Sequence, residues 1–181
     1  KIISDRINTF NVNNKNDAIE IEISILWNVY FITFSHNRIL SIDLSGNDLK
    51  VIQSYQFNHL RISRLDLSRN SIIDLKGDEF NGKNARLLFF LDLSHSKIKS
   101  FHKDTFSGLT ALQVLKIDNN MIRDISMDAF SNLNDLSELF LHRNELSLEK
   151  LMFSKAAKLK QLTLDGQSSS NYSALLTSTK I

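Results

Sequence analysis

The sequence contains no cysteine and no proline in 181 residues, and only five glycines. The absence of cysteine excludes a disulfide scaffold, a cysteine-ligated zinc site and a cysteine nucleophile. A chain of this length with average composition would contain roughly nine prolines. The longest apolar stretch, Ile23 to Phe34, is interrupted by polar residues and is shorter than the roughly 18 residues of a membrane span. We therefore expect no direct membrane contact in this segment.

A strong excess of charge of one sign is also missing. The 22 lysines and arginines stand against 20 aspartates and glutamates, which leaves a formal net charge of +2. This balance excludes a basic nucleic-acid footprint by bulk charge, so no nucleic-acid partner is expected. The apolar fraction of 42% is enough to bury a core and argues against a disordered chain. The chain opens at Lys1 without the pattern of a targeting peptide, so we expect that any such peptide was removed or was never part of this sequence.

One pattern recurs through most of the chain, namely apolar-x-x-apolar-x-apolar-x-x-Asn-x-apolar. Its six units begin at Ile39, Ile62, Leu88, Leu112, Leu136 and Leu159. The spacings between these starts are 23, 26, 24, 24 and 23 residues. A phenylalanine recurs in the second half of the units, at Phe57, Phe80, Phe106, Phe130 and Phe153. Such regularity predicts stacked copies of one structural unit, each of which buries its apolar face against its neighbours.

The pattern also predicts what each unit looks like. The apolar-x-apolar step has a period of two, so each unit begins with a short strand, and strands at one register in successive units stack as a parallel sheet. An amide side chain that donates and accepts can satisfy backbone groups where each coil leaves its strand. This structural ladder is predicted to consist of Asn47, Asn70, Asn120 and Asn144. The phenylalanines are predicted to fill the opposite side of the core.

The stretches "LDLSRNSI", "LDLSHSKI" and "FSGLTALQVLKIDNNMI" resemble the leucine-rich repeat family, in its class of roughly 24-residue units with a phenylalanine. They look like the repeats of Toll-receptor-like and chaoptin-like ectodomains. The resemblance implies an α/β repeat solenoid, a horseshoe with a parallel β-sheet on its concave face and an irregular or short-helical convex side. It divides the chain into a capping or degenerate-repeat region (1–38), six in-register repeats (39–167) and a frayed tail (168–181).

Several positions depart from the family pattern. Ser96 and Gln167 replace the ladder asparagine, so weaker or differently satisfied turns are expected there. The 26-residue unit carries "NGKNARL" after Phe80 and is expected to bulge on the convex or flanking side. The cysteine-rich caps usual in secreted members are absent, which indicates an interior fragment or another way of closing the ends.

The first 38 residues leave the register of the first strand open. In "AIEIEISILWN" isoleucines alternate with polar residues, which is typical of a strand with one buried face. We favour Ile23 and Ile25 as the first strand. A competing register uses Val29, Ile32 and Phe34, but it starts too close to Ile39 to leave room for one coil. In the C-terminal tail, Asn171-Tyr172-Ser173 is a possible glycosylation site.

No catalytic motif appears in the sequence: phosphate-binding loops, zinc-protease, nucleophile-elbow and calcium-loop patterns are all missing. His95 and His142 lie two units apart, so we expect roughly 10 Å between them, which is too far for one metal ion to bridge. We therefore predict no enzyme, no metal site and no cofactor.

Function is then expected on the concave surface, where side chains between the inward leucines point outward. The aspartates and serines of the "DLS" triplets, such as Asp43, Asp66, Ser45, Ser68 and Ser94, are interpreted mainly as scaffold. The remaining outward residues combine apolar side chains with a charged rim, which is typical of a protein-contact hot spot. The predicted binding residues are Arg64, Phe90, His95, Val114, Lys116, Glu138, Phe140, His142 and Arg143. The alternative is that these apolar side chains cover one another or are covered by the rest of a longer chain.

These observations favour a non-enzymatic module that binds a protein ligand or co-receptor. The resemblance implies a cell-surface or secreted receptor of the innate-immune type, with an extracellular location. The first rival is an adhesion or matrix component whose repeats set distance and self-associate. The second is a cytosolic adaptor, which the missing cysteine favours and the phenylalanine-type repeat opposes. Homo- or heterodimerisation of the module is also expected to be possible.

Overall fold

The computed structural model describes residues 18–22, 38–54, 57, 61–126, 128–146 and 158–167. Seven parallel strands form one sheet in the order β1-β2-β3-β5-β7-β8-β9, and β4 and β6 form a second, two-stranded sheet. The bounds are β1 Ala18–Glu22, β2 Arg38–Asp43, β3 Arg64–Asp66, β4 Asp74–Leu75, β5 Phe90–Asp92, β6 Ser100–Phe101, β7 Val114–Lys116, β8 Glu138–Phe140 and β9 Gln161–Thr163. The predicted parallel-sheet solenoid is therefore confirmed, with one large-sheet strand in each unit.

The register of the large sheet places equivalent residues of successive units side by side. The outward column before the central inward residue runs Ser41, Arg64, Phe90, Val114, Glu138 and Gln161. The outward column after it runs Asp43, Asp66, Asp92, Lys116, Phe140 and Thr163. Because a strand alternates its faces, the residues between these columns point into the core. Ile42, Leu65, Leu91, Leu115 and Leu139 are indeed fully buried.

The first strand lies two residues earlier than the sequence predicted. Strand β1 pairs with β2 so that Ile21, not Ile23, is opposite Ile42. The prediction was wrong because a shift of two residues in an alternating run keeps the same face inward, so the pattern alone cannot choose between these registers. Ile23, Ile25 and the competing register at 29–34 lie outside the described residues, and so do 168–181; the predicted domain limits stay a prediction.

The second half of the core is a stack of phenylalanine rings. The ring centroids of Phe57, Phe80, Phe106 and Phe130 are 6.4, 6.3 and 6.3 Å apart in succession, with interplanar angles of 6°, 18° and 13°. Phe101 packs edge-on against Phe106 at 5.2 Å. Phe106 is fully buried, so this stack closes the core opposite the large sheet. Phe153 lies outside the described residues.

The convex side consists of turns, the short β4–β6 sheet and one 3-10 helix, Ala85–Leu87. The prediction of short convex helices was therefore only partly right, since the described residues contain no α-helix. The reason is visible in the hydrogen bonds: the amides of Leu88 and Leu109 donate three residues back, to Ala85 and Phe106, which gives tight turns. The 3-10 helix lies within the "NGKNARL" segment that lengthens this unit. Among the described residues, no helix has the length and apolarity needed to cross a membrane.

Candidate functional site

A ladder of asparagine amides closes the end of the large sheet. The Asn120 side chain donates to the carbonyls of Leu93 (3.0 Å), Ile117 (3.1 Å) and Asp118 (3.1 Å), and its oxygen accepts from the Ile98 amide at 3.0 Å. Asn70 and Asn144 repeat this arrangement between their own neighbouring coils. Each of these amides therefore ties two coils together. Among the described residues, Asn47 donates to the carbonyls of Leu44 and Ser45 in its own turn; residues 23–37, in the coil before it, lie outside the described residues.

The two positions without asparagine behave differently. Gln167 donates to the carbonyl of Leu141 at 2.7 Å and accepts from the Leu146 amide at 3.0 Å, so the longer amide makes the same inter-coil bonds. The Ser96 hydroxyl is buried and has no hydrogen-bond partner among the described residues. A serine is too short and has too few polar atoms to bridge two coils. The ladder is therefore interrupted in the unit of Ser96.

The aspartates that end β2, β3 and β5 each stabilise the turn that follows the strand. The carboxylates of Asp43, Asp66 and Asp92 each accept a hydrogen bond from the backbone amide two residues later, at 2.8, 3.0 and 2.9 Å. An aspartate that binds the backbone in this way stabilises a turn. These contacts agree with the interpretation of the "DLS" triplets as scaffold.

The turn that follows each strand contains one residue with a positive φ. These residues, which we call the turn row, are Gly46, Arg69, His95, Asn119, Arg143 and Gly166, with φ between 52° and 69°. Backbone bonds stack the turns, because each row amide from Gly46 to Arg143 donates to a carbonyl in the next turn. Only glycine adopts this conformation without strain. The repeat spacing alone places these six residues in one column, but their positive φ was not predicted, although the glycines at its two ends were a usable signal.

The ring of Phe90 is covered by cations. The guanidinium carbon of Arg64 lies 3.5 Å from its ring centroid, and the ammonium of Lys116 lies 5.5 Å away. Both distances are within the range of cation–π attraction. Phe90 is consequently only 7% exposed. Phe90 thus lies in the outward column, as predicted, but its ring is covered; its part in binding stays a prediction.

The outward residues of β7 and β8, together with His142 just after β8, form what we call the concave patch. Its members are Val114, Lys116, Glu138, Phe140 and His142. All five are half-buried. The Lys116 ammonium lies 3.7 Å from the Asp92 carboxylate and 5.6 Å from the Phe140 ring centroid. Lys116 thus connects the covered Phe90 to the more accessible Phe140.

His142 is held by two neighbours that sequence reasoning missed. Its Nε2 lies 3.4 Å from the buried carboxylate of Asp118, and its Nδ1 lies 3.0 Å from the Thr163 hydroxyl. Asp118 stands where earlier units have serine, and this change was the available signal. The two contacts fix the orientation of the imidazole at the edge of the patch.

The remaining predicted binding residues, His95 and Arg143, lie on the turn row and are exposed. They sit beside the concave patch rather than within it. Among the described residues, no group of three histidine or acidic side chains could hold a metal ion.

Comparisons with known proteins agree with this architecture. A family profile described as "Leucine rich repeat" matches residues 86–146 and 113–168. The matching chain in the solved TLR13–ssRNA13 complex has 31% sequence identity to this chain and a TM-score of 0.67. The match covers 72% of this chain and 19% of that chain. The matching chain in the Drosophila Toll–Spatzle complex has 17% sequence identity and a TM-score of 0.58, and the match covers 71% of this chain and 20% of that chain. An internalin, inlF from Listeria monocytogenes, has 21% sequence identity and a TM-score of 0.54, and the match covers 79% of this chain and 46% of that chain.

No curated protein sequence matches the chain significantly. The chain spans about a fifth of the two Toll-receptor chains and less than half of the internalin. The leucine-rich repeat family is typically non-catalytic. The profile match, the shared solenoid and the in-register units together lead to one conclusion: the chain is a leucine-rich repeat protein, structurally similar to Toll-receptor ectodomains and internalins.

Proposed function

We propose that this chain is a non-enzymatic recognition module that binds a protein ligand or co-receptor through its concave patch. It would form part of a cell-surface or secreted receptor of the innate-immune type, located outside the cell. Its structural likeness to a Toll receptor whose solved complex contains Spatzle supports this class of function. The proposal needs no cofactor and no metal ion.

The observation that carries the proposal is the position of Phe140 on the outward face. A strand whose only task is to build the sheet has no need of an accessible aromatic ring there. Val114 lies diagonally beside Phe140 on the neighbouring strand, and Lys116 and Glu138 supply charges of both signs around it. An aromatic centre with a charged rim is the composition of a hot spot that a partner desolvates.

The charges on the concave face favour a protein over a nucleic acid. Its outward columns contain four carboxylates, those of Asp43, Asp66, Asp92 and Glu138. Between Ser41 and Thr163, where these columns are described, the only cations in them are Arg64 and Lys116, and both are engaged with Phe90. A phosphate backbone would be repelled by this excess of negative charge. The solved complex of the TLR13 neighbour contains single-stranded RNA, so RNA belongs in the test as a competing ligand.

The test compares the chain with a Phe140→Asp variant in a pull-down from extracellular fluid and cell-surface extract. Ile73→Asp is the matched control, because Ile73 is an apolar side chain that is 40% exposed in the segment that leads into β4. Circular dichroism must first show that all three proteins are folded. We expect Phe140→Asp alone to lose a protein partner.

A partner retained by Phe140→Asp, or lost equally by Ile73→Asp, would contradict binding at the concave patch. Capture of RNA in place of protein would contradict the ligand class. Concentration-dependent self-association that Phe140→Asp abolishes would favour the adhesion or matrix alternative. A partner found only in cytosolic extract would favour the adaptor alternative.

A further inference from the structure

A second charged surface lies outside the concave patch, on the side of the solenoid formed by the turn row. Three of the four non-glycine residues in that row, Arg69, His95 and Arg143, are basic and exposed. Lys97 and Lys99 lie just beyond the row and flank the fully buried Ile98, so their own side chains point to solvent. We call Arg69, His95, Lys97, Lys99 and Arg143 the basic turn strip.

The cations of this strip are not neutralised by neighbouring acids. Among the described residues, Arg69, Lys97 and Lys99 make no ion pair. The Arg143 guanidinium makes none either, and it donates to the amide oxygen of Asn119 at 3.5 Å. Arg123 is different: it pairs with Glu145 at 2.7 Å, and this hydrogen bond raises the pKa of the Arg123 guanidinium. The strip therefore keeps unpaired positive charge available to a partner, whereas the nearby Arg123 is engaged with Glu145.

The backbone supplies an independent argument. The two outermost turns of the row carry glycine, which has a positive φ without strain, whereas the inner turns force L-residues into the same conformation. Strain of this kind persists where the surrounding structure fixes the backbone, and it clusters at functional sites. Among the described residues, no acidic side chain pairs with Arg69 or His95, so both side chains are open to a partner.

We propose that the basic turn strip is a binding surface for a short acidic protein segment, separate from the concave patch. The row steps from Arg69 to Arg143 in three coils, or about 14 Å at strand spacing, which four or five extended residues would span. At its two ends the strip meets acidic side chains, Asp48 and Glu145, which pair with Lys50 and Arg123, so the unpaired positive charge does not continue there. A long polyanion would therefore run beyond the positive region, and the strip offers no aromatic row on which bases could stack.

The test uses fluorescence anisotropy with a labelled octapeptide of alternating glutamate and aspartate. The strip variant is Arg69→Gly/Lys97→Gln/Arg143→Gly, in which glycine removes charge and also relieves the positive φ, so the thermal midpoint should not fall. The matched control, Lys103→Gln/Lys158→Gln/Lys160→Gln, removes three cations elsewhere, two of which are paired with acids. We expect the strip variant to bind roughly ten-fold more weakly and the control to bind within about two-fold of the original.

Added salt should weaken binding to the original chain more than binding to the strip variant. Phe140→Asp should leave peptide affinity unchanged, which separates this proposal from the concave-patch proposal. No peptide binding, or equal weakening in the lysine control, would overturn it. A single-stranded RNA of equal charge that bound more tightly, through the same strip, would overturn the assignment to an acidic protein segment.

Discussion

The guanidinium carbon of Arg64 lies 3.5 Å from the ring centroid of Phe90, on the adjacent strand. The two side chains point to the outer face of the sheet, where neither contributes to the buried core. Their stacking turns an aromatic ring that would be exposed into one that is 7% exposed. The accessible part of the predicted hot spot is therefore displaced along the sheet, toward Val114 and Phe140.

This contact predicts a measurable coupling. Arg64→Ala and Phe90→Leu should each destabilise the fold slightly, and the double variant should lose less than the sum. The coupling energy should be about 0.5–1 kcal/mol, which is typical of an exposed cation–π pair. Urea denaturation of the four proteins measures it. Strict additivity would mean that the stacking contributes nothing in solution.

The strand register predicts opposite results for two neighbouring residues. Leu141 is fully buried, so Leu141→Asp would place an unpaired charge in the core and should cost about 4 kcal/mol or more, enough to unfold a marginal domain. Phe140 points outward, so Phe140→Asp should leave the thermal midpoint nearly unchanged. Thermal unfolding followed by circular dichroism checks both. An equal loss in the two variants would mean that the register is wrong.

The asparagine ladder predicts a difference between a buried ladder asparagine and an exposed asparagine elsewhere. Asn120→Ala removes three donated bonds and one accepted bond from a buried position, and should cost about 2–4 kcal/mol because backbone groups are left unsatisfied. Asn134→Ala changes an exposed asparagine that makes no side-chain hydrogen bond to a described residue, and should change the stability by less than about 0.5 kcal/mol. The free energy of unfolding in urea distinguishes them, and similar costs would contradict the inter-coil role.

The interrupted ladder predicts a stabilising substitution. Ser96→Asn replaces a buried hydroxyl that has no hydrogen-bond partner in the described part of the chain by an amide that can bridge two coils, as Asn70 and Asn120 do on either side. The expected gain is about 1 kcal/mol, seen as a higher thermal midpoint. Ser96→Ala serves as the control and should be nearly neutral. A lower midpoint for Ser96→Asn would show that the coil cannot accommodate the larger side chain.

Most of the fold could be predicted because each unit repeats the same physical requirement. The inward leucines and the phenylalanine column follow from periodicity, since a position that is buried in one coil is buried in the next. The first strand could not be located, because isoleucines at both 21 and 23 satisfy the same alternation. The short convex helices were expected from the family, and the tight turns at Ala85 and Phe106 took their place.

The candidate site was predictable in position but not in exposure. The columns containing Phe90, Val114 and Phe140 were read from spacing alone. Whether a ring in such a column is accessible depends on which side chains lean over it, and only tertiary contacts decide this for Arg64 and Lys116. The same holds for His142, whose partners Asp118 and Thr163 come from the units before and after it.

By itself, the sequence determined a parallel-sheet solenoid of leucine-rich repeats, because a recurring apolar pattern can bury its residues only by stacking. The tertiary structure decided which outward side chains remain available to a partner. It covered Phe90, left Phe140 accessible and aligned Arg69, His95 and Arg143 along one edge. The physical reason is that burial of the core is set within each unit, whereas exposure at the surface is set by contacts between side chains of neighbouring coils.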